Sequence, residues 1–294
     1  MKKLNYELKN LVARNKDGSY STQSDRHRYL QLIARQLNEL GFKHMSVSSL
    51  KTKHVWALVR HWQSEISPFT GRLISNGTIK NRMTVIRWWA SKIDKASAVP
   101  RTNRELGIED RIRLPVQDKA FTLTDEQKAD VPTYINLSLR LQQEFGLRRE
   151  ESAKFNIAKA EYETHIKLIK SWTKGGRERV IPILNEKQRE LLNEIREYAP
   201  NRSLVPAHMS YAHYLSHRRY ITGGVGLRGT HGLRYHYAQQ RYLALSSGIT
   251  PPRMGGVKHS QLTATEKAKD VEARTIVSSE LGHVRIDITR TYLG

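Results

Sequence analysis

The 294-residue chain contains no cysteine. Disulfide bonds and thiolate metal sites are therefore excluded, and the absence fits a reducing cytosol. The chain also lacks any apolar run that approaches the roughly 20 residues of a membrane span. Its first ten residues, MKKLNYELKN, have lysines but no apolar segment behind them. A signal peptide is therefore not expected.

Acidic residues are scarce relative to basic ones. The chain has 28 Asp and Glu against 50 Lys and Arg, which gives a net charge of +22. Residues 1–100 hold 18 basic and six acidic residues, so this part is about twice as basic per residue as the remainder. Such an excess favours a polyanionic partner, because each phosphate that is neutralised releases condensed counterions. The alternative is a solvated basic surface.

The first hundred residues have the apolar spacing of a helical bundle. One helix is predicted between Ser24 and Gly41, and a second from about Ser49. Ser67-Pro68 and Asn76-Gly77 are interpreted as helix breakers, and a third helix is predicted after them. The inward positions are Leu30, Ile33, Leu37, Leu40, Val55, Val59, Trp62, Ile66, Ile79, Met83, Ile86, Trp89 and Ile93. The tryptophans are assigned to packing. Lys80, Arg82 and Arg87 are assigned to the surface of the third helix, as candidate contacts to a nucleic acid, the polyanion that this charge favours.

The remaining chain mixes helical and strand patterns. Residues 94–123 lack sustained periodicity and resemble an interdomain linker. Ile135, Leu137, Leu139 and Leu141 alternate as in a half-buried strand, although the residue types between them favour a helix. Between Tyr162 and Leu184, two apolar runs flank KGGR, which predicts a hairpin with Pro182 in an edge strand. Further helices are predicted at 186–198, 212–220 and 231–244.

Several residues that can bind or protonate a phosphate lie along this second part. They are Arg148 with Glu151, Lys174, the pair His231 and Arg234, His283 and Tyr292. His231 and Arg234 are three residues apart on a predicted helix, so their side chains can share one side. Taken singly, each has an ordinary interpretation: a surface salt bridge, a turn lysine, a histidine that starts a helix, or a terminal tyrosine.

Taken together and in this order, the segments resemble the tyrosine recombinase (phage integrase) family. The resemblance rests on GLRREE at 146–151, TKGGRERVIPI at 173–183, HGLR at 231–234, LGH at 281–283 and Tyr292. It implies a mainly α fold with a small β-sheet. A helical-bundle core-binding domain (1–100) would be joined by a linker (101–120) to an α+β catalytic domain (121–294). The resemblance also predicts a helix at 133–145, against the alternation.

The resemblance implies a role for each matching residue. Tyr292 would attack a backbone phosphorus and form a 3′-phosphotyrosyl bond. Arg148 and Arg234 would hold the two non-bridging oxygens in bidentate fashion, with hydrogen bonds from His231 and His283. His231 would also help to deprotonate the tyrosine. Lys174 would protonate the departing 5′-oxygen, and Glu151 would support Arg148. The resemblance implies no metal and no other cofactor.

Two features depart from the family pattern. The connection from Arg234 to His283 is longer than usual, and Ser246–Asp270 is interpreted as an inserted loop that either contacts DNA or a partner or is a disordered excursion. The sequence ends two residues after Tyr292, whereas relatives usually continue into a tail that docks on a neighbouring protomer. Either assembly uses another contact, or the tail is missing here.

The leading hypothesis is a site-specific recombinase of a prophage or other mobile element. The alternatives are a type IB topoisomerase, which relaxes DNA as a monomer, and a DNA-binding protein with a vestigial pocket. The resemblance implies double-stranded DNA as the partner, a homotetramer on DNA, assistance from accessory DNA-bending proteins, and no membrane. The expected location is the cytoplasm, in association with the nucleoid.

Overall fold

A computed structural model of the chain describes residues 3–110 and 117–294. The chain divides into two compact units, Met1–Ile112 and Arg113–Gly294. The predicted linker, 101–120, includes residues 111–116, which lie outside the described residues, so the predicted domain limits remain predictions. In the part of the chain that the structure describes, no helix is long and apolar enough to cross a membrane.

The first unit is helical. Serine side chains begin two of its helices: Ser19 and Ser75 each accept a hydrogen bond from the backbone N–H three residues later, at 3.2 Å. After the second helix, Gly41 has φ of +91°, the left-handed conformation common just beyond a helix end. Its α-helices are α1 (Lys3–Arg14), α2 (Tyr20–Glu39), α3 (Thr52–Ser64) and α4 (Asn76–Lys92).

The predicted apolar stripes form the core of this unit, with two exceptions: Leu40 lies at the surface where α2 ends, and Ile66 lies beyond the end of α3. Trp62 and Trp89 are fully buried, and their indole N–H groups donate to Gln36 Oε1 and Val47 O at 2.9 Å. Their assignment to packing is confirmed. Ile66, predicted to face inward, is 63% exposed because α3 has already ended.

The start of α4 corrects a prediction. Asn76-Gly77 lies in the first helical turn and is not a breaker, because the side chain of Ser75 caps the helix one residue before it. The cost of glycine in a helix is one of backbone entropy, roughly 0.5–1 kcal/mol, which does not prevent a capped helix from forming.

One of the three basic residues predicted on the surface of α4 differs from its prediction, and the DNA contacts of Lys80 and Arg87 stay a prediction. Arg82 is 5% exposed, and its guanidinium binds both carboxylate oxygens of Glu65, at 2.5 and 2.9 Å. Lys80 donates to Asp110 at 2.6 Å, and Arg87 donates to the carbonyl of Pro100 and to the side chain of Asn103. The prediction that Arg82 lies on the helix surface is wrong. The charges of Lys80 and Arg82 are neutralised within the unit, and the Arg87 guanidinium donates hydrogen bonds there.

The second unit combines helices with a small sheet. Strands β1 (His165–Leu168) and β2 (Arg179–Pro182) pair antiparallel, with His165 opposite Pro182. The mainly α fold with a small β-sheet is thereby confirmed. The α-helices are α5 (Asp125–Ala129), α6 (Thr133–Glu144), α7 (Arg149–Lys154), α8 (Ile157–Ala160), α9 (Glu186–Tyr198), α10 (Tyr211–Gly224), α11 (Gly232–Leu245), α12 (Ala264–Glu280) and α13 (Arg290–Leu293).

The alternating segment is helix α6, as the family resemblance predicts. Ile135 and Leu139 pack into one buried apolar cluster, whereas Leu137 and Leu141 pack into another. Each pair has the i, i+4 spacing of one helix face. Two buried faces on one helix therefore imitate the alternation of a strand.

The β1–β2 connection is longer than a two-residue hairpin loop. It contains a 3₁₀ turn, Lys170–Trp172, followed by a turn in which Gly175 and Gly176 have φ of +81° and +66°. The glycines therefore belong to this turn, and they do not join the strands directly.

The predicted insertion, Ser246–Asp270, is ordered. It contains 3₁₀ turns at Pro252–Met254 and His259–Gln261, and its last seven residues begin α12. The interpretation of this segment as a disordered loop is therefore wrong. The segment is held in place because Asp270 is buried and hydrogen-bonded to His259 and Arg274.

Candidate active site

The hydroxyl of Tyr292 is the point where four predicted site residues meet. Tyr292 lies on α13 and is 3% exposed. Its hydroxyl oxygen is 3.3 Å from Nε of Arg234, 3.3 Å from Nε2 of His283 and 3.5 Å from Nε2 of His231. Residues separated by up to 61 positions are thus brought to a single oxygen atom.

Arg234 is the most deeply buried residue of this cluster. It lies in the first turn of α11 and is fully buried. Its two terminal nitrogens donate to the carbonyls of Gly146 and Leu281, so that Nε is directed at Tyr292. Gly146 permits this approach, because a Cβ there would be 2.4 Å from the Tyr237 ring.

Among the described residues, no carboxylate pairs with the charge of Arg234. Its hydrogen-bond partners in residues 3–110 and 117–294 are main-chain carbonyls, the Tyr292 hydroxyl and His283. Burial lowers the pKa of Arg234 to about 10, so the group stays charged at neutral pH. A buried cation in neutral surroundings is a strong attractor for an anion.

Arg148 is placed by Glu151. Arg148 is the N-cap residue of α7, and its backbone N–H and one terminal nitrogen donate to the two carboxylate oxygens of Glu151, at 2.6 and 2.9 Å. The side chain of Arg148 is 23% exposed. It is therefore fixed at one end and open to an incoming group at the other.

Arg179 is the residue that sequence analysis missed. It forms a bidentate ion pair with Glu151, at 2.9 and 2.6 Å, and its Nε donates to the carbonyl of Glu280 at 2.8 Å. Burial opposes ionisation of Glu151, but hydrogen bonds and charges from Arg179 and then Arg148 outweigh it and lower its pKa to about 2. Glu151 thus links β2 and α7 as a permanent anion.

Both histidines are neutral at pH 7. Burial, followed by the charges of Arg234 and Arg148, lowers the pKa of His231 to about 4 and that of His283 to about 3. The Tyr292 hydroxyl can donate only one hydrogen bond. At most one of the two imidazoles can therefore accept its proton, and the other can act only as a donor to this oxygen.

Lys174 is not joined to this cluster. It is exposed in the β1–β2 turn, and it makes no hydrogen bond or ion pair with the described part of the chain. No atom lies within 4 Å of a Cβ built at either neighbouring glycine, Gly175 or Gly176. The turn thus has free space around it.

The cluster has the chemistry of an anion site. It offers the guanidinium of Arg234 and two neutral imidazoles around a phenol, and the charge of Arg148 acts on both imidazoles. This arrangement suits a phosphate diester. Among the described residues, no three His, Asp or Glu side chains are grouped so that they could hold a metal ion.

Comparison with known families and structures agrees with this chemistry. The family model "Phage integrase, N-terminal" matches residues 1–96, and the model "Integrase" matches residues 110–240. Together they cover more than three quarters of the chain. A search of curated proteins gave no match.

Solved structures share the fold at low sequence identity. The XerH site-specific recombinase bound to palindromic difH has a TM-score of 0.58 at 18% identity, over 99% of this chain and 81% of that one. The Tn1549 transposon integrase with circular intermediate DNA has a TM-score of 0.56 at 10% identity, over 100% and 96%. A lambda integrase dimer bound to a COC′ core site has a TM-score of 0.54 at 13% identity, over 96% and 92%.

The ordered motifs, the convergence of their side chains on Tyr292, the integrase models over both units and the shared fold agree with one another. The chain belongs to the tyrosine recombinase (phage integrase) family.

Proposed function

We propose that this protein is a site-specific DNA recombinase that cleaves and rejoins double-stranded DNA through a 3′-phosphotyrosine at Tyr292. One observation carries the proposal: Arg234, His231 and His283 surround the Tyr292 hydroxyl at 3.3–3.5 Å. These are the groups that an attack on phosphorus requires, namely a nucleophile, a fixed positive charge and proton-transfer partners.

Cleavage would begin with attack of the Tyr292 oxygen on a backbone phosphorus. The phenol loses its proton, the bond from phosphorus to the 5′-oxygen breaks, and that oxygen leaves as a hydroxyl. Both imidazoles are unprotonated at neutral pH, and the family resemblance assigns the phenol proton to His231. Lys174 would supply the proton to the 5′-oxygen.

The arginines would stabilise the charge on the pentacoordinate phosphorus in different ways. Both terminal nitrogens of Arg234 are engaged with main-chain carbonyls, so it would act through Nε and its buried charge. This differs from the bidentate grip that the family resemblance implies. The Arg148 side chain stays partly exposed, and its guanidinium would hold a non-bridging oxygen. Rejoining would reverse these steps, because the phosphotyrosine conserves the energy of the original bond.

Partners and biological role follow from the same proposal. The three similar structures are complexes with DNA, and two of them are integrases of a transposon and of lambda. We therefore propose integration or excision of a mobile element, a homotetramer on DNA, and accessory DNA-bending proteins as further partners. The protein would act in the cytoplasm, at the nucleoid. No observation favours a topoisomerase or a vestigial site.

A nicked suicide substrate tests the proposal. Loss of a short fragment beyond the cleavage site traps the covalent intermediate, which survives denaturation on a gel. The wild-type protein should accumulate such an adduct, and Tyr292→Phe, which removes only the hydroxyl, should bind DNA and form none. A wild-type protein that binds these DNAs but never forms an adduct would contradict the proposal.

A further inference from the structure

The inserted segment 246–270 packs against the end of the helix that carries Tyr292. A Cβ built at Gly294 would lie 2.8 Å from Cβ of Pro252 and 3.0 Å from the backbone nitrogen of Arg253. Gly294 is therefore in direct contact with the 3₁₀ turn Pro252–Met254. This turn forms a wall against which α13 ends.

The turn itself is tightly closed. The backbone N–H groups of Met254 and Gly256 both donate to the carbonyl of Pro251, at 2.9 and 3.1 Å. A Cβ at Gly256 would fall 1.8 Å from the carbonyl oxygen of Thr250, a distance that only glycine permits. The turn can therefore act as a rigid support.

Asp270 connects this segment to two helices. Its carboxylate is 2% exposed and accepts hydrogen bonds from Arg274 Nε at 2.8 Å, from the Tyr242 hydroxyl, and from His259 Nδ1 at 2.8 Å. Tyr242 belongs to α11, Arg274 to α12 and His259 to the second 3₁₀ turn. Such a buried carboxylate is stable only when its partners are present, so the four groups form one unit.

Arg274 transmits this arrangement to the nucleophile's helix. Its NH1 donates to the main-chain oxygen of Gly294 at 3.2 Å, while its Nε remains on Asp270. A second anchor lies on α11, where Gln239 Nε2 donates to the main-chain oxygen of Tyr292 at 3.3 Å and to Asp118 at 2.9 Å. The main-chain oxygens of Tyr292 and Gly294 thus accept hydrogen bonds from side chains of α11 and α12.

We propose that Asp270 and Arg274, braced by the inserted segment, are positioning residues that set the location of the Tyr292 hydroxyl. The inference rests on the proposed nucleophilic role of Tyr292. A four-residue helix such as α13 has too few hydrogen bonds to be stable by itself, so its position depends on such anchors. A displacement of about 1 Å in a reacting group can cost on the order of 10²-fold in rate.

Arg274→Ala tests the proposal against Lys267→Ala. Both changes remove one positive charge from α12, but Lys267 makes no side-chain hydrogen bond within the described residues. At saturating suicide substrate, Arg274→Ala should form the adduct about 10- to 100-fold more slowly, with DNA affinity within about threefold of wild type. Lys267→Ala should stay within about threefold on both measures.

A substrate with sulfur in place of the bridging 5′-oxygen separates this role from leaving-group chemistry. Sulfur leaves without a proton, so the substrate relieves a defect in the general acid only. The Arg274→Ala defect should persist on it, because the nucleophile is displaced. A wild-type rate for Arg274→Ala, or full recovery on the sulfur substrate, would overturn the proposal.

Hydrogen exchange provides a measurement that does not depend on cleavage. Backbone N–H groups of residues 290–294 should exchange faster in Arg274→Ala and in the isosteric Asp270→Asn, and by a larger factor than those of α9 in the same variant, which report any general loss of stability. Unchanged exchange in both folded variants would contradict the positioning role. The wild type could also form no adduct while the exchange of residues 290–294 increases in both variants. That result would contradict the proposed function and still support the positioning role of Asp270 and Arg274.

Discussion

Arg82 and Arg234 are both buried, and their surroundings are opposite. Arg82, in the first unit, is bound by the carboxylate of Glu65 through two hydrogen bonds of 2.5 and 2.9 Å. Arg234, in the second unit, is surrounded by main-chain carbonyls, a phenol and an imidazole whose pKa is about 3. Arg82 is neutralised by a carboxylate, whereas Arg234 has no carboxylate partner in the part of the chain that the structure describes.

The difference separates a structural charge from a functional one. Hydrogen bonds from Arg82 lower the pKa of Glu65, and the resulting pair joins α4 to the residue that follows α3. An unpaired buried charge costs several kcal/mol. The folded chain tolerates that cost at Arg234, where an anionic phosphate would supply the missing negative charge. Basic residues of a DNA-binding protein are therefore not equivalent, and their partners distinguish them.

The largest expected effect is the loss of cleavage when Arg234 is removed, compared with the loss of stability when Arg82 is removed. Arg234→Ala should lower the rate of adduct formation on the order of 10²–10³-fold, the scale for loss of one preorganised donor, and Arg148→Ala should act similarly. Arg82→Ala should leave the rate of the folded protein unchanged and lower the free energy of unfolding by about 1–3 kcal/mol, because Glu65 loses its bidentate partner and keeps only weaker ones such as Gln36. Single-turnover cleavage and denaturant titration measure the two quantities.

The comparison fails if the two variants behave alike. A loss of cleavage below about threefold in Arg234→Ala would show that the site is misplaced. Glu65→Gln serves as the control for Arg82→Ala, since it removes the same ion pair from the other side and should destabilise the same unit.

Lys174 provides the next effect in size. Unlike Arg234 it is exposed, and unlike Arg82 it forms no ion pair with the residues that the structure describes. If Lys174 is the general acid, Lys174→Ala should slow cleavage about 10²-fold on ordinary DNA and much less on a 5′-phosphorothiolate substrate. Arg177→Ala, which removes an exposed charge from the same connection, is the matched control. Equal defects of Lys174→Ala on both substrates would mean that the lysine only grips the backbone.

Exposed cations of the first unit should produce a smaller change in DNA affinity. Lys53 and Arg60 lie on one face of α3 with Trp56 between them, and all three are exposed. Replacing both cations with alanine should reduce the salt dependence of binding by roughly 0.9 log units per log unit of salt for each phosphate that is no longer neutralised. The control double variant replaces Lys9 and Arg14 on α1. Equal decreases in both double variants would indicate diffuse attraction and not a defined surface on α3.

The smallest effect is a pH dependence of stability. Burial and the charge of Arg234 lower the folded-state pKa of His283 to about 3, so the unfolded chain takes up this proton first as the pH falls below about 6.5. The contribution of this histidine to stability is therefore complete above about pH 6.5 and declines toward pH 3. The thermal midpoint should fall less in His283→Gln than in wild type when the pH is lowered from neutral to mildly acidic. An identical fall in both would contradict the lowered pKa.

Much of the candidate site could be predicted from the sequence, because its residues fall in ordered motifs. Arg179 was missed, although a signal exists. Side chains alternate across a strand, so a buried Ile181 places Arg179 on the same inward face. Arg82 was misplaced for a similar reason. It is three residues after Ile79 and four before Ile86, which is the spacing of the buried stripe of α4.

Other features could not be predicted, because they depend on contacts between distant segments. The two buried faces of α6 exist only once two separate clusters have formed around it. The order of segment 246–270 depends on Asp270, whose partners include Tyr242, 28 residues away. Local composition, rich in glycine and proline, suggested a loose loop and gave no sign of these partners.

The most direct test of the account is the identity of the residue that becomes linked to DNA. The adduct trapped on a suicide substrate is digested with nuclease and protease, and mass spectrometry locates the nucleotide-bearing tyrosine. The account predicts attachment through a 3′-phosphate to Tyr292, and no adduct from Tyr292→Phe. Attachment to any other tyrosine, or an undiminished adduct from Tyr292→Phe, would contradict it.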